Sequence, residues 1–107
     1  MAQGQLVVFS NAVAGREEEF NTWYSDVHVP EVLKAAPQIK SAKRFSLNTI
    51  AVQDGVKGWQ FMTIYDIDAA DLQPVMESMG AAMANGEFNM SDSGDLSTIT
   101  MFYANPV

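Results

Sequence analysis

His28 is the single histidine of this 107-residue sequence. Imidazole is the one side chain whose unperturbed pKa lies near neutrality, so a proton shuttle in this chain most naturally runs through it. Tyr24 stands four residues earlier, one helical turn away on the same face, with a phenol able to donate to a substrate oxygen. The pair could serve as general acid or base and oxyanion partner. Each residue also has a plainer role. A histidine at a helix end can bond a backbone carbonyl or sit on the negative end of the helix dipole. Phe20, Trp23, Tyr24 and Val27 recur at the spacing of a buried helical stripe. Asp26 faces away from His28, whereas Glu31 can reach back across a bend.

A second group suits a flat or cyclic ligand. Trp59, Phe61, Thr63 and Tyr65 alternate along a strand and so share one face, Phe61 as core. Trp59 and Tyr65, with Trp23 and the amide of Asn11 at the end of the first strand, are expected to contact the substrate. Met76, Met79 and Met83 read as core. Other chemistries lack their residues. One histidine and no cysteine cannot build a His-rich or thiolate zinc site, and Glu17-Glu18-Glu19 lie around a helix rather than converging on a cation, so no metal is expected. There is no GxGxxG and no P-loop lysine, so a nucleotide cofactor has no support, and the expectation is that no cofactor is used. GxSxG is missing, and Ser25 lacks a third group to orient a base.

These residues need elements to hold them. Gln5 to Ser10 reads as a central strand with an apolar run. A break at Asn11–Gly15 leads into a helix from Arg16, whose three acids favour the positive dipole end. Pro30 opens a short second segment to Ala36, with a bend near His28–Val29, and Pro37 closes it. Ile39 to Leu47 alternates as a less buried strand toward an edge. Asn48–Gly58, with Asp54-Gly55, is a turn connection into a strongly apolar strand from Trp59 to Ile67, making a hairpin. Asp68 and Asp71 can cap a helix carrying Leu72, Met76, Met79 and Met83, which stops near Asn85-Gly86. Leu96 to Tyr103 is the last strand. The order β-α-β-β-α-β predicts an α+β, ferredoxin-like sandwich, a four-stranded antiparallel sheet with two helices on one face.

Composition agrees with one domain spanning residues 1–107: 48% of residues are hydrophobic and 18% charged. No apolar run approaches a membrane span, no signal-peptide pattern opens the chain, and the lack of cysteine suits a reducing cytoplasm. The expectation is a soluble cytoplasmic protein without membrane contact. The net charge is −7, all six Lys and Arg fall between Arg16 and Lys57, and residues 58–107 hold seven acids and no base. Nucleic acid is therefore not expected as a partner.

Val8, Phe9, Phe61, Met62, Ile64, Tyr65, Ile99, Met101 and Phe102 place apolar side chains on both sheet faces, yet two helices cover only one of them, leaving the other as an exposed patch. A homodimer packing the two open faces together would remove that patch.

The segment Phe20-Asn-Thr-Trp23-Tyr24-Ser-Asp26-Val-His28-Val29-Pro30-Glu31-Val32 resembles the first-helix signature of the dimeric α/β-barrel superfamily, in particular its EthD-like branch. The Ala36-Pro37-X-Ile39 turn and the Arg44-Phe45 pair are similar as well. The resemblance implies a dimeric α/β barrel and a His28 that points into a cavity between helix and sheet. It implies no single reaction. The favoured expectation is a cofactor-free acid–base enzyme of isomerase, cyclase or lyase type acting on a small apolar cyclic or aromatic metabolite. A non-catalytic ligand-binding or structural dimer is the alternative. A haem-binding or monooxygenase-like member of the superfamily is the third.

Overall fold

The computed structural model describes residues 3–51, 53–55, 58–69 and 71–107. Four strands form one antiparallel sheet: β1 (Gln3–Ser10), β2 (Ile39–Ser46), β3 (Phe61–Asp68) and β4 (Thr100–Ala104), in the order β2-β3-β1-β4. The helices are α1 (Glu17–Trp23), α2 (Val29–Ala35) and α3 (Gln73–Ala84). The expected α+β, ferredoxin-like order is present, with β1 central between β3 and β4. Among the described residues no helix is long and apolar enough to cross a membrane. The Asn48–Gly58 connection is described only in part, since residues 52, 56 and 57 lie outside the described set.

Between α1 and α2 the chain makes one wide turn, Tyr24–His28, in which the Val29 N–H donates to the Tyr24 carbonyl five residues back. This π-turn lies where the sequence places a bend, near His28. Pro30 follows in the first turn of α2, where its missing N–H costs nothing. Ala36, just before Pro37, is extended (φ −126°, ψ 92°) because the proline ring crowds a helical residue in front of it. Helix α3 ends as expected: Gly86 takes φ +70°, and the N–H groups of Gly86 and Glu87 donate to the carbonyls of Met83 and Ala82.

The core lies between helices and sheet. Leu6, Val8, Ile39, Tyr65 and Ile67 from the sheet meet Val32, Val75 and Ala82 from the helices. A second cluster of Ala12, Phe20, Tyr24 and Phe61 adjoins it under α1. On the uncovered face the register brings Val7, Phe9, Ile64, Met62, Phe45 and Phe102 together, with Phe45 and Phe102 exposed.

Four expectations need correction. Met76 and Met83 are exposed rather than core: α3 turns Val75 and Ala82 inward, with Leu72 and Met79 packed beside them. Met76 follows Val75 by about 100° of helical rotation, and so points out. β4 begins at Thr100 rather than Leu96, because Asp95 accepts hydrogen bonds from the Ser97 N–H (3.1 Å) and hydroxyl (2.6 Å) and folds that stretch into a turn. β3 begins at Phe61, and Trp59 does not share a face with Tyr65. Trp59 instead packs on Phe9 of the open face, with centroids 5.2 Å apart. Alternation fails there because ladder pairing stops at Phe61 and Gln60 sits in a bend, its N–H donating to Asn11 Oδ1. Finally, β2 carries a register shift between Ile39 and Ser41. Ile39 and Arg44, of opposite parity, therefore both face the helices: they pair with Ile67 and Thr63, both buried.

Candidate functional site

Tyr24 is the centre of the cluster. It is the first residue of the π-turn and is 3% exposed. Its ring meets Phe20 edge to face (5.5 Å), and its hydroxyl lies 3.3 Å from that of Tyr65 on β3. Two hydroxyls sharing one hydrogen bond leave one O–H hydrogen free for a further acceptor. Burial pushes the Tyr65 phenol far above its usual range, with Tyr24 adding to the effect and Arg44 opposing it, so Tyr65 stays protonated at neutral pH.

His28 closes the π-turn and is half-buried among aromatic rings. Trp23 stacks on it (4.8 Å, 21° between planes), Tyr24 presents its ring at 80° (4.8 Å), and Phe88 lies 5.9 Å away. Its Nδ1 is buried without a hydrogen-bond partner. Burial holds the imidazole below its ordinary pKa; Glu31 acts against this and Arg44 acts with it. His28 is thus predominantly neutral at pH 7, as a base must be. Glu31 does not bond to it: its carboxylate accepts from the Asn89 backbone N–H (2.9 Å) and amide (2.6 Å). Asn89 also accepts from Trp23 Nε1 at 2.7 Å, so one loop residue pins both helical segments flanking His28.

The other expected contacts divide. Tyr65 and Trp23 adjoin the Tyr24–His28 pair. Asn11 does not: its amide bonds Thr98 Oγ1 (3.2 Å), the Gly58 carbonyl (3.4 Å) and the Gln60 N–H (2.8 Å), tying loops together. Trp59 is on the other sheet face and donates to the Thr98 carbonyl (2.8 Å).

Arg44 was not among the expected site residues. Its guanidinium carbon lies 4.3 Å from the Tyr24 ring centroid and within 6 Å of the rings of Phe20 (5.9 Å) and Phe61 (5.7 Å). Sequence alternation hides it, because only the register shift in β2 turns it toward the helices. The signal that could have found it is a strand cation whose same-parity neighbours, Ala42 and Ser46, are small. Arg44 borders a cavity of about 210 Å³ lined also by Asn21, Phe45, Ser46 and Phe61. Two further cavities lie at the sheet end near Lys40 and Asp68 and on the outer side of α1 at Arg16 and Trp23. His28, Tyr24 and Tyr65 line none of these three. Among the described residues no three His, Asp or Glu are grouped to hold a metal ion.

Fold and site together define an α+β ferredoxin-like domain with an aromatic, tyrosine- and histidine-centred cluster under its first helix. Its fold is similar to that of an ethyl tert-butyl ether D (EthD) family protein from Bacillus halodurans C-125, 13% identical, with 100% of each chain covered and a TM-score of 0.53. A dimeric ferredoxin-like protein of unknown function from Thermobifida fusca YX is 12% identical over 98% of this chain and 92% of that one, with a TM-score of 0.49. At such identity the first likeness is one of fold, as the EthD-like signature implied. No family model matches the chain, and no curated protein does.

Proposed function

We propose that the chain is a cofactor-free acid–base enzyme of isomerase, cyclase or lyase type for a small, largely apolar ring-bearing metabolite. Its general base or acid is His28, and Tyr24 is the hydrogen-bond donor to a developing oxyanion. The observation that carries this reading is the buried Tyr24–Tyr65 hydroxyl pair with a neutral imidazole against the Tyr24 ring. A neutral imidazole can take a proton, and the spare phenol hydrogen can meet the charge left on oxygen. Trp23 and Tyr65 are the aromatic contacts for the ring. Asn11 and Trp59 act through the scaffold.

The chain acts as a homodimer in this proposal. Val7, Phe9, Met62, Ile64 and Phe102 make a continuous apolar face that a monomer rarely leaves open. A second copy of the face would bury at least the ~1,200 Å² of a stable interface.

A substrate-independent test is proton–deuterium exchange at carbons next to the carbonyl of cyclic ketones and lactones in D2O, followed by NMR. Wild type should exchange them faster than buffer, and His28→Ala should lose ~10²–10⁴-fold. Equal rates in the two proteins would remove His28 from the chemistry. The enclosure of His28 by Trp23, Tyr24 and Phe88, away from the three cavities, favours a second reading: a ligand-binding dimer in which His28 is structural.

A further inference from the structure

Among the described residues Arg44 is a partly buried cation without an anion. Its Nε donates to Thr63 Oγ1 (3.4 Å), and its Nη1 to the Asn21 carbonyl (3.4 Å) and Ser25 Oγ (3.2 Å). Its Nη2 is buried and meets no acceptor. Both ion pairs among the described residues belong to Arg16, so no carboxylate of the described residues reaches Arg44. The aromatic rings around the guanidinium offset part of the lost hydration through their faces, but a ring face does not satisfy in-plane N–H groups. A purely structural arginine would be expected to complete its fork within the protein. This one instead borders a cavity of about 210 Å³ that opens to solvent.

We propose that this cavity is an anion subsite in which Arg44 receives the carboxylate of a small ring-bearing acid, with the ring of the ligand against Phe61. The planar fork of a guanidinium matches a carboxylate, whereas the cavity offers a single cation and two polar side chains, Asn21 and Ser46, too few donors for a phosphate dianion. Phe61, on the same sheet face as Arg44, supplies the apolar wall that a ring requires. The guanidinium lies over the ring of Tyr24, so an acid held by Arg44 is coupled to that residue through the cation rather than by direct contact. As a statement of substrate class the inference rests on the acid–base reading above: the metabolite is a carboxylic acid as well as a ring.

The test uses wild-type protein titrated with benzoate, benzamide and inorganic phosphate at constant ionic strength, read from backbone amide shifts. Benzoate should give saturable shifts centred on Arg44, Phe61 and Asn21, with benzamide and phosphate about tenfold weaker or more, the margin that a charge-assisted bidentate pair supports. Arg44→Gln should abolish the benzoate response. Arg44→Lys, which keeps the charge but not the fork, should weaken it. Benzamide as good as benzoate, phosphate as good as benzoate, or no saturable benzoate response at tens of millimolar would each overturn the proposal. The wild-type comparison decides even if neither variant folds. Binding and exchange also fail separately: loss of His28-dependent exchange with benzoate binding intact sinks the acid–base reading alone, and the converse sinks the subsite alone.

Discussion

His28 lies face to face with Trp23, five residues before it, with ring centroids 4.8 Å apart. In an α-helix residues five apart diverge, and the partner of position 28 is position 24. The π-turn at Tyr24–His28 widens the helix so that the imidazole meets Trp23 with one face and Tyr24 with another. One wide turn thus converts a two-residue alignment into an aromatic slot, and the slot sets the protonation state of its histidine.

The pH dependence of stability follows. The folded pKa of His28 lies below that of the unfolded chain, so between the two values the unfolded state binds more protons and stability falls as pH falls. The window opens at about pH 6.5, the unfolded imidazole value, and closes at the lower folded value. From pH 7.5 to 5.0 wild type should lose more stability in urea denaturation than His28→Gln does. Parallel losses would show that the imidazole is not held neutral. Trp23→Ala should raise the His28 pKa toward the unfolded value in an NMR titration, because the stacked ring supplies part of its burial.

The Tyr24–Tyr65 hydroxyl pair should behave as a unit. Tyr24→Phe or Tyr65→Phe alone strands the remaining buried hydroxyl and should cost about 1–3 kcal/mol. The double variant should cost less than the sum of the two, which chemical denaturation of all four proteins measures directly. Strict additivity would mean that the hydroxyls do not interact.

Two glycines should respond with opposite signs. A Cβ on Gly94 would lie 2.8 Å from Cε1 of the buried Phe20 ring, so Gly94→Ala should destabilise by about 1–3 kcal/mol and disturb the Tyr24 contact. Gly80 is exposed within α3 with nothing near its missing Cβ. Gly80→Ala should stabilise by about 0.5–1 kcal/mol through helix propensity. Thermal melts of the two variants beside wild type check both.

If the open sheet face is the dimer interface, a charge at its centre should break it. Ile64 sits between Val7 and Lys43 in the register, and Ile64→Lys would place a second ammonium beside Lys43 on an apolar surface. Light scattering should show wild type as a dimer and this variant as a monomer with unchanged far-ultraviolet circular dichroism. A wild-type monomer at micromolar concentration would remove the interface.

The order of elements was legible in the chain itself, because local chemistry acts over a few residues. The apolar run of Leu6 to Phe9, the acids of Glu17–Glu19, Pro30 and Pro37, and Asn85-Gly86 each constrain their own backbone, and each stands where its element begins, runs or stops. The Tyr24–His28 proximity was legible as well, as a periodicity. Whatever depends on a departure from strict period was settled only by tertiary packing. The register shift in β2 turned Arg44 inward, the π-turn brought Trp23 onto His28, and the bend at Gln60 sent Trp59 to the opposite face from Tyr65. A one-residue irregularity leaves composition and spacing untouched, yet it reverses which side every later residue presents. The inward face of α3 was also decided by packing: Val75 and Ala82 are buried while Met76 and Met83 are exposed, and no count of apolar residues along the helix distinguishes the two stripes.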